Sequence, residues 1–221
     1  MDYFSNFSYV ISHGFLMIFL YLFITHRYRA FTTQLICFTS FVLLTVTDCI
    51  KLNMFPDSDL CYFFVTILQI VLTQSTGILI SKKRNVKVLF MGLSASNYVI
   101  IGSVLAAVVY IYTGEKVPAL AGSFIIHAML LYILCRHLRQ LWLRQYEKEY
   151  TKGWWKLCMI PVFFYCSFSF IAFFPRTLYD YPENILGILF MVVTMSVSYV
   201  VVLQYVENEA NQKNIYLKNI L

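Results

Sequence analysis

Residues 184–221 read NILGILFMVVTMSVSYVVVLQYVENEANQKNIYLKNIL, and this stretch decides what kind of protein the chain is. From Ile185 to Leu203 it is almost uninterruptedly apolar. At about 1.5 Å per helical residue it is long enough to cross a bilayer core of roughly 30 Å. The chain then turns polar without losing its helical rhythm. Leu203, Val206, Ala210, Lys213, Leu217 and Ile220 follow spacings of three and four, and no Gly or Pro intervenes between Tyr205 and Leu221. The pattern predicts a membrane-spanning helix that continues into water as a signalling helix, with Val206, Ala210, Leu217 and Ile220 on its contact seam. Lys213 intrudes on that seam, and about two and a half heptads with one cation make a marginal coiled coil that needs support from the spans or from a further domain.

The rest of the chain has the same character. Of its 221 residues, 60% are hydrophobic and 13% charged, which is too apolar for a soluble domain and indicates an all-α, polytopic membrane protein. Seven apolar stretches qualify as spans, at about 8–25, 31–52, 60–80, 88–112, 118–135, 157–174 and 184–205. The expected organisation is a seven-helix transmembrane domain over 1–205 and a cytoplasmic helix over 206–221. Asp2 is the sole charge before the first span, so a basic signal-peptide start is lacking and the first helix is expected to stay.

Charge sets the expected direction. With the N-terminus outside, the inner segments hold Arg27, Arg29, Lys82, Lys83, Arg84, Lys87, Arg136, Arg139, Arg144, Lys148, Lys152, Lys156, Lys213 and Lys218, leaving Lys51, Lys116 and Arg176 outside. Most acids fall on the outer side. This asymmetry predicts N-out, C-in insertion in the cell membrane, and it assigns the net charge of +6 to contact with lipids rather than with nucleic acid.

Six scattered cysteines without a CxxC pair read as small buried hydrophobes, although Cys49 and Cys61 lie where an outer disulfide is conceivable. No metal framework and no cofactor motif is visible. Walker, GxSxG and HExxH signatures are absent as well, so the chain is expected to be non-enzymatic as it stands.

Polar residues inside the spans are the candidate site. Asp48 and Lys51 share a helix face at i and i+3, and the following Asn53 to Pro56 place them in the outer interface as a local ion pair or a ligand contact. The third span carries Thr66, Gln69, Thr73 and Thr76 as a stripe that glues helices or lines a pocket. Small residues at Gly92 to Ser96 and Ser103 to Ala107, echoed by Ala119 to Ser123, predict a tight hairpin of spans four and five. His127 is within expected reach of Asn97 or Gln69, and this trio is the best guess for a buried polar centre. His13 reads as a packing residue. Gln69, Thr73, Asn97, His127 and Asp48, with Arg176 and Asp180 at the outer mouth, are thus the candidate ligand-binding residues. The inner stretch 136–156 suggests that the fifth helix continues as a basic amphipathic helix on the membrane surface, and Pro161 suggests a kink in the sixth.

The run Gly92-Leu93-Ser94-Ala95-Ser96-Asn97 through Tyr112-Thr113-Gly114, the aromatic-rich seven-span layout and the helical exit after Glu207 resemble the membrane sensor region of GHKL-type bacterial histidine kinases, relatives of the accessory gene regulator quorum sensors. The resemblance implies a homodimeric sensor of a small-molecule or peptide ligand. It also implies that the exit helix serves a cytoplasmic kinase core, which in that family carries the phosphorylated histidine and an ATP-binding domain and acts on a response regulator. Arg136-His137 is followed by Leu138 where the family's Arg-His-Asp box has Asp, so that role is not carried over. The competing outline is a small transporter similar to the sugar-carrying SWEET proteins, which share seven spans and N-out, C-in insertion. Spans one to three hold no proline, however, unlike the repeats of that family.

Overall fold

The computed structural model describes residues 3–54, 59–147, 153–173 and 182–220, and every regular element among them is helical apart from one isolated β-bridge. The helices are α1 (Tyr3–Phe23), α2 (Ala30–Met54), α3 (Asp59–Ile80), α4 (Val86–Thr113), α5 (Lys116–His137), α6 (Arg139–Glu147), α7 (Trp154–Leu157), α8 (Met159–Phe173) and α9 (Ile185–Ile220). Six of these units are long and apolar enough to cross a membrane: α2, α3, α4, α5, the α7–α8 pair and α9. The apolar part of α1, Ser8–Phe23, is shorter, yet it packs inside the bundle with Phe15, Leu16, Phe19, Leu20 and Phe23 buried.

The bundle is built around α4. Within its span 61% of residues are buried, against 28% or less for each of the other five. Its small side chains make this possible. Ala95 and Ala106 are almost fully enclosed, and glycines let neighbours reach the helix backbone: Gln74 of α3 sits against Gly92, and His127 of α5 sits against Gly102. Asn85 caps the start of α4 by accepting from the Lys87 amide, and Gly114 ends it in the left-handed conformation (φ 66°), its N–H donating to the Tyr110 carbonyl. The two-residue turn that follows returns the chain as α5, packed antiparallel along α4 as the small-residue pattern anticipates.

Two helix breaks bear on the sequence expectations. The fifth helix is followed, after a one-residue break at Leu138, by the basic amphipathic helix that the sequence suggests, but its apolar face is turned to the protein. α5 ends at His137, and α6 packs against the bundle with Trp142, Gln145 and Tyr146 buried while Arg139, Gln140 and Arg144 stay exposed. Ring contacts hold α6 in place: Trp142 stacks on Phe90 at 5.1 Å and meets Trp154 edge-on at 5.5 Å. The orphan carbonyls at the end of α6 are taken by lysines, with Lys87 Nζ donating to Gln145 O at 2.7 Å and Lys83 Nζ to Glu147 O. In the sixth span, where the sequence suggests a kink at Pro161, the helix breaks at Cys158. Pro161 has no N–H for the Leu157 carbonyl four residues back, so α7 ends at Leu157. By contrast α9 runs without interruption through the 205/206 boundary to Ile220.

Cysteines placed singly at Trp142 and Tyr146 are expected to resist a water-soluble maleimide in the purified protein, whereas those at Gln140 and Arg144 react readily. Equal labelling at all four positions would show that α6 lies free on the surface.

Candidate functional site

Asp48 collects donors from three helices. Its Oδ1 accepts from Lys51 Nζ at 2.8 Å and from Gln69 Nε2 of α3 at 2.9 Å, and its Oδ2 is 2.5 Å from Nε2 of His13 on α1. Gln69 Nε2 also donates to Thr47 Oγ1 at 3.1 Å, and Lys51 Nζ lies 4.6 Å from the centre of the Tyr9 ring. Asp48 and Lys51 are 3% and 4% exposed, so the ion pair is enclosed by the bundle. His13 is buried, and its ring Nε2 is satisfied by this carboxylate. The carboxylate partner identifies Nε2 as a protonated nitrogen, which leaves Nδ1 buried without a hydrogen-bond partner among the described residues. The i,i+3 spacing foretold the Asp48–Lys51 contact, but the contribution of α1 comes from tertiary packing alone.

The α3 stripe acts chiefly toward α2. Thr76 Oγ1 donates to Ser40 Oγ at 2.7 Å, while the buried Thr73 returns its hydroxyl to its own Gln69 carbonyl at 2.8 Å. The carboxamide of Gln74 is buried beside Gly92 and finds no partner among the described residues.

Gln69, Asn97 and His127 do not form one centre. Asn97 Nδ2 donates to the Pro161 carbonyl of α8 at 2.9 Å and, more weakly, to the Tyr199 hydroxyl at 3.5 Å. Tyr199 in turn donates to Ser94 Oγ at 2.9 Å, so this group joins α4, α8 and α9. His127 Nδ1 donates to its own helix at Ser123 O, 2.8 Å away. Its ring stacks on Phe15 at 5.4 Å and receives Tyr98 edge-on at 5.9 Å, and Tyr98 OH donates to the His127 carbonyl. A Cβ on Gly102 would come within 2.5 Å of Nε2, so the histidine fills a glycine notch and leaves no room there for a ligand.

Tyr199 is the residue that sequence reasoning missed. It belongs to the stripe Ile185, Ile188, Met195, Val202 and Val206 that α9 turns toward the bundle, while Leu186, Phe190, Val193, Val197 and Val201 face outward. The three-and-four spacing of that stripe was the available signal. Val206 is buried on the bundle side, whereas the side chains of Ala210, Leu217 and Ile220 lie outside the described residues, as do Arg176 and Asp180. No family model, curated protein or solved structure matches the chain.

Asp48→Ala takes the carboxylate away from the buried Lys51 and is expected to cost about 3–5 kcal/mol of stability. Asp48→Leu combined with Lys51→Met should recover most of that loss, and the thermal unfolding midpoint in one detergent reports both. Gly102→Ala is expected to destabilise by about 1–3 kcal/mol through overpacking, and adding His127→Ala should relieve the clash. If Gly102→Ala left the midpoint unchanged, the notch would not be as tight as described.

Proposed function

We propose that the chain is a seven-helix membrane sensor, N-terminus outside and C-terminus in the cytoplasm, that converts ligand-dependent rearrangement of its buried polar groups into movement of α9. The observation that carries this reading is the continuity of α9. At about 1.5 Å per residue its 36 residues extend for about 54 Å, well beyond a bilayer core of roughly 30 Å. One face is fastened to α4 through Tyr199 and Ser94, so a shift of the bundle has a rigid lever to act on. The heptad positions 185, 192 and 199 inside the bundle continue in the same register through 206, 213 and 220.

On this reading α1 is the seventh span, the basic end of the bundle faces the cytoplasm, and the chain works as a homodimer with a cytoplasmic histidine kinase core and a response regulator. The chain itself performs no chemistry. A ligand entering from outside or from the lipid phase acts by binding one helix arrangement better than the other. The asymmetry of basic residues and the resemblance of the fourth and fifth spans support the reading.

A second reading draws on a specific observation. Buried ionisable clusters such as His13, Asp48 and Lys51 also mark proton and solute paths in transporters. Uptake of a small sugar into proteoliposomes, abolished by Asp48→Asn, would favour it.

The sensor reading is tested by fusing the full chain at Leu221 to a histidine kinase core. Autophosphorylation is expected to change by about tenfold on inserting four residues after Val206, which rotate the helix by about 40° and lengthen it, and to recover largely with a seven-residue insertion. Indifference to both insertions would exclude mechanical coupling through α9.

A further inference from the structure

The α1–α2 turn and the α3–α4 turn are held side by side by backbone pairing. Arg27 N donates to Ile80 O at 2.8 Å and Lys82 N donates to Thr25 O at 2.9 Å, an antiparallel bridge centred on His26 and Ser81. Ser81 and the buried Tyr146 reinforce it from α6, both hydroxyls reaching the Lys83 carbonyl. Two strongly basic segments, 26–29 and 82–84, are therefore locked together with no acid in either.

The cations here divide into two groups. Lys83, Lys87 and Arg139 spend their donors on backbone carbonyls of the protein. Arg29, Lys82 and Arg84 are exposed and have no hydrogen-bond or ion-pair partner among the described residues, and Arg27, also exposed, lies over the ring of Tyr28 at 5.6 Å. Fixed turns that present unneutralised cations make a site for an anion.

The neighbouring surface says which anion. Phe31 and Leu35 on the first turns of α2 are 77% and 53% exposed, and Leu79 at the end of α3 is 42% exposed. A soluble anion has no use for such a surface, but a lipid places its phosphate on the cations and its chains along these side chains. We propose that the paired turns form a binding site for an anionic phospholipid, with Arg29, Lys82 and Arg84 on the headgroup and Phe31, Leu35 and Leu79 against the acyl chains. The proposal goes beyond the sensor reading and does not depend on it.

Native mass spectrometry of the full chain, titrated with phosphatidylglycerol or phosphatidylcholine, provides the test. The triple variant Arg29→Gln, Lys82→Gln, Arg84→Gln is expected to bind phosphatidylglycerol about tenfold more weakly. A control that also removes three exposed cations, Arg136→Gln, Arg144→Gln, Lys156→Gln, should stay within about twofold of the unmodified protein. Arg29→Lys with Arg84→Lys should retain binding, and if the triple variant does not fold, Arg29→Gln alone should still show a partial loss. Equal losses in the two triple variants would reduce the site to diffuse surface charge. Displacement of the lipid by millimolar inorganic phosphate, or no preference for phosphatidylglycerol over phosphatidylcholine, would overturn the lipid assignment.

Discussion

Hydrocarbon offers a polar group no partner, so each polar side chain folded into an apolar bundle must be matched by another helix or by its own backbone. That constraint falls hardest on Asp48. Its carboxylate draws Lys51 from the same helix, Gln69 from α3 and His13 from α1, and in doing so specifies how the first three helices meet. Removing Lys51 leaves the carboxylate without its cation, and removing Gln69 or His13 leaves one of its oxygens short of a donor. Apolar packing alone would let these helices rotate or slide, because exposed leucines and phenylalanines meet lipid as well as they meet each other.

The central helix turns that local fixation into a connected structure. Ser103 of α4 meets Ser12 of α1 one residue from His13, and Tyr98 and Gly102 hold His127 of α5. Ser94 and Asn97 hold Tyr199 of α9 and the Pro161 carbonyl of α8. A polar contact on one side of α4 is thereby linked, through a tightly packed helix, to α9, the longest helix among the described residues. Interiors packed this closely have few alternative arrangements, which favours discrete switching over gradual deformation.

Much of this was legible in the sequence, and the failures are instructive. The helical continuity of α9 followed from the absence of Gly and Pro after Tyr205, and the close α4–α5 hairpin from small residues at fixed spacing. The trio of Gln69, Asn97 and His127 failed on helix geometry: Asn97 and the Gly102 notch are five residues apart on α4, which turns them about 140° away from each other. His13 could not be paired with Asp48 because no local pattern records which face α1 gives to α2. The break at Leu138 carries no Gly or Pro signal, and the partners of the buried Trp142 and Tyr146 beyond it are set by tertiary packing.

The central claim is that the polar groups of the first helices and the projecting part of α9 move together. Pulsed electron paramagnetic resonance on the full chain in nanodiscs, with one spin label at Asn211 and another at Lys82, measures it directly. If the account is right, Asp48→Asn shifts the population of label-to-label distances while the helical content stays constant. An unchanged distance distribution in a folded Asp48→Asn protein would contradict it.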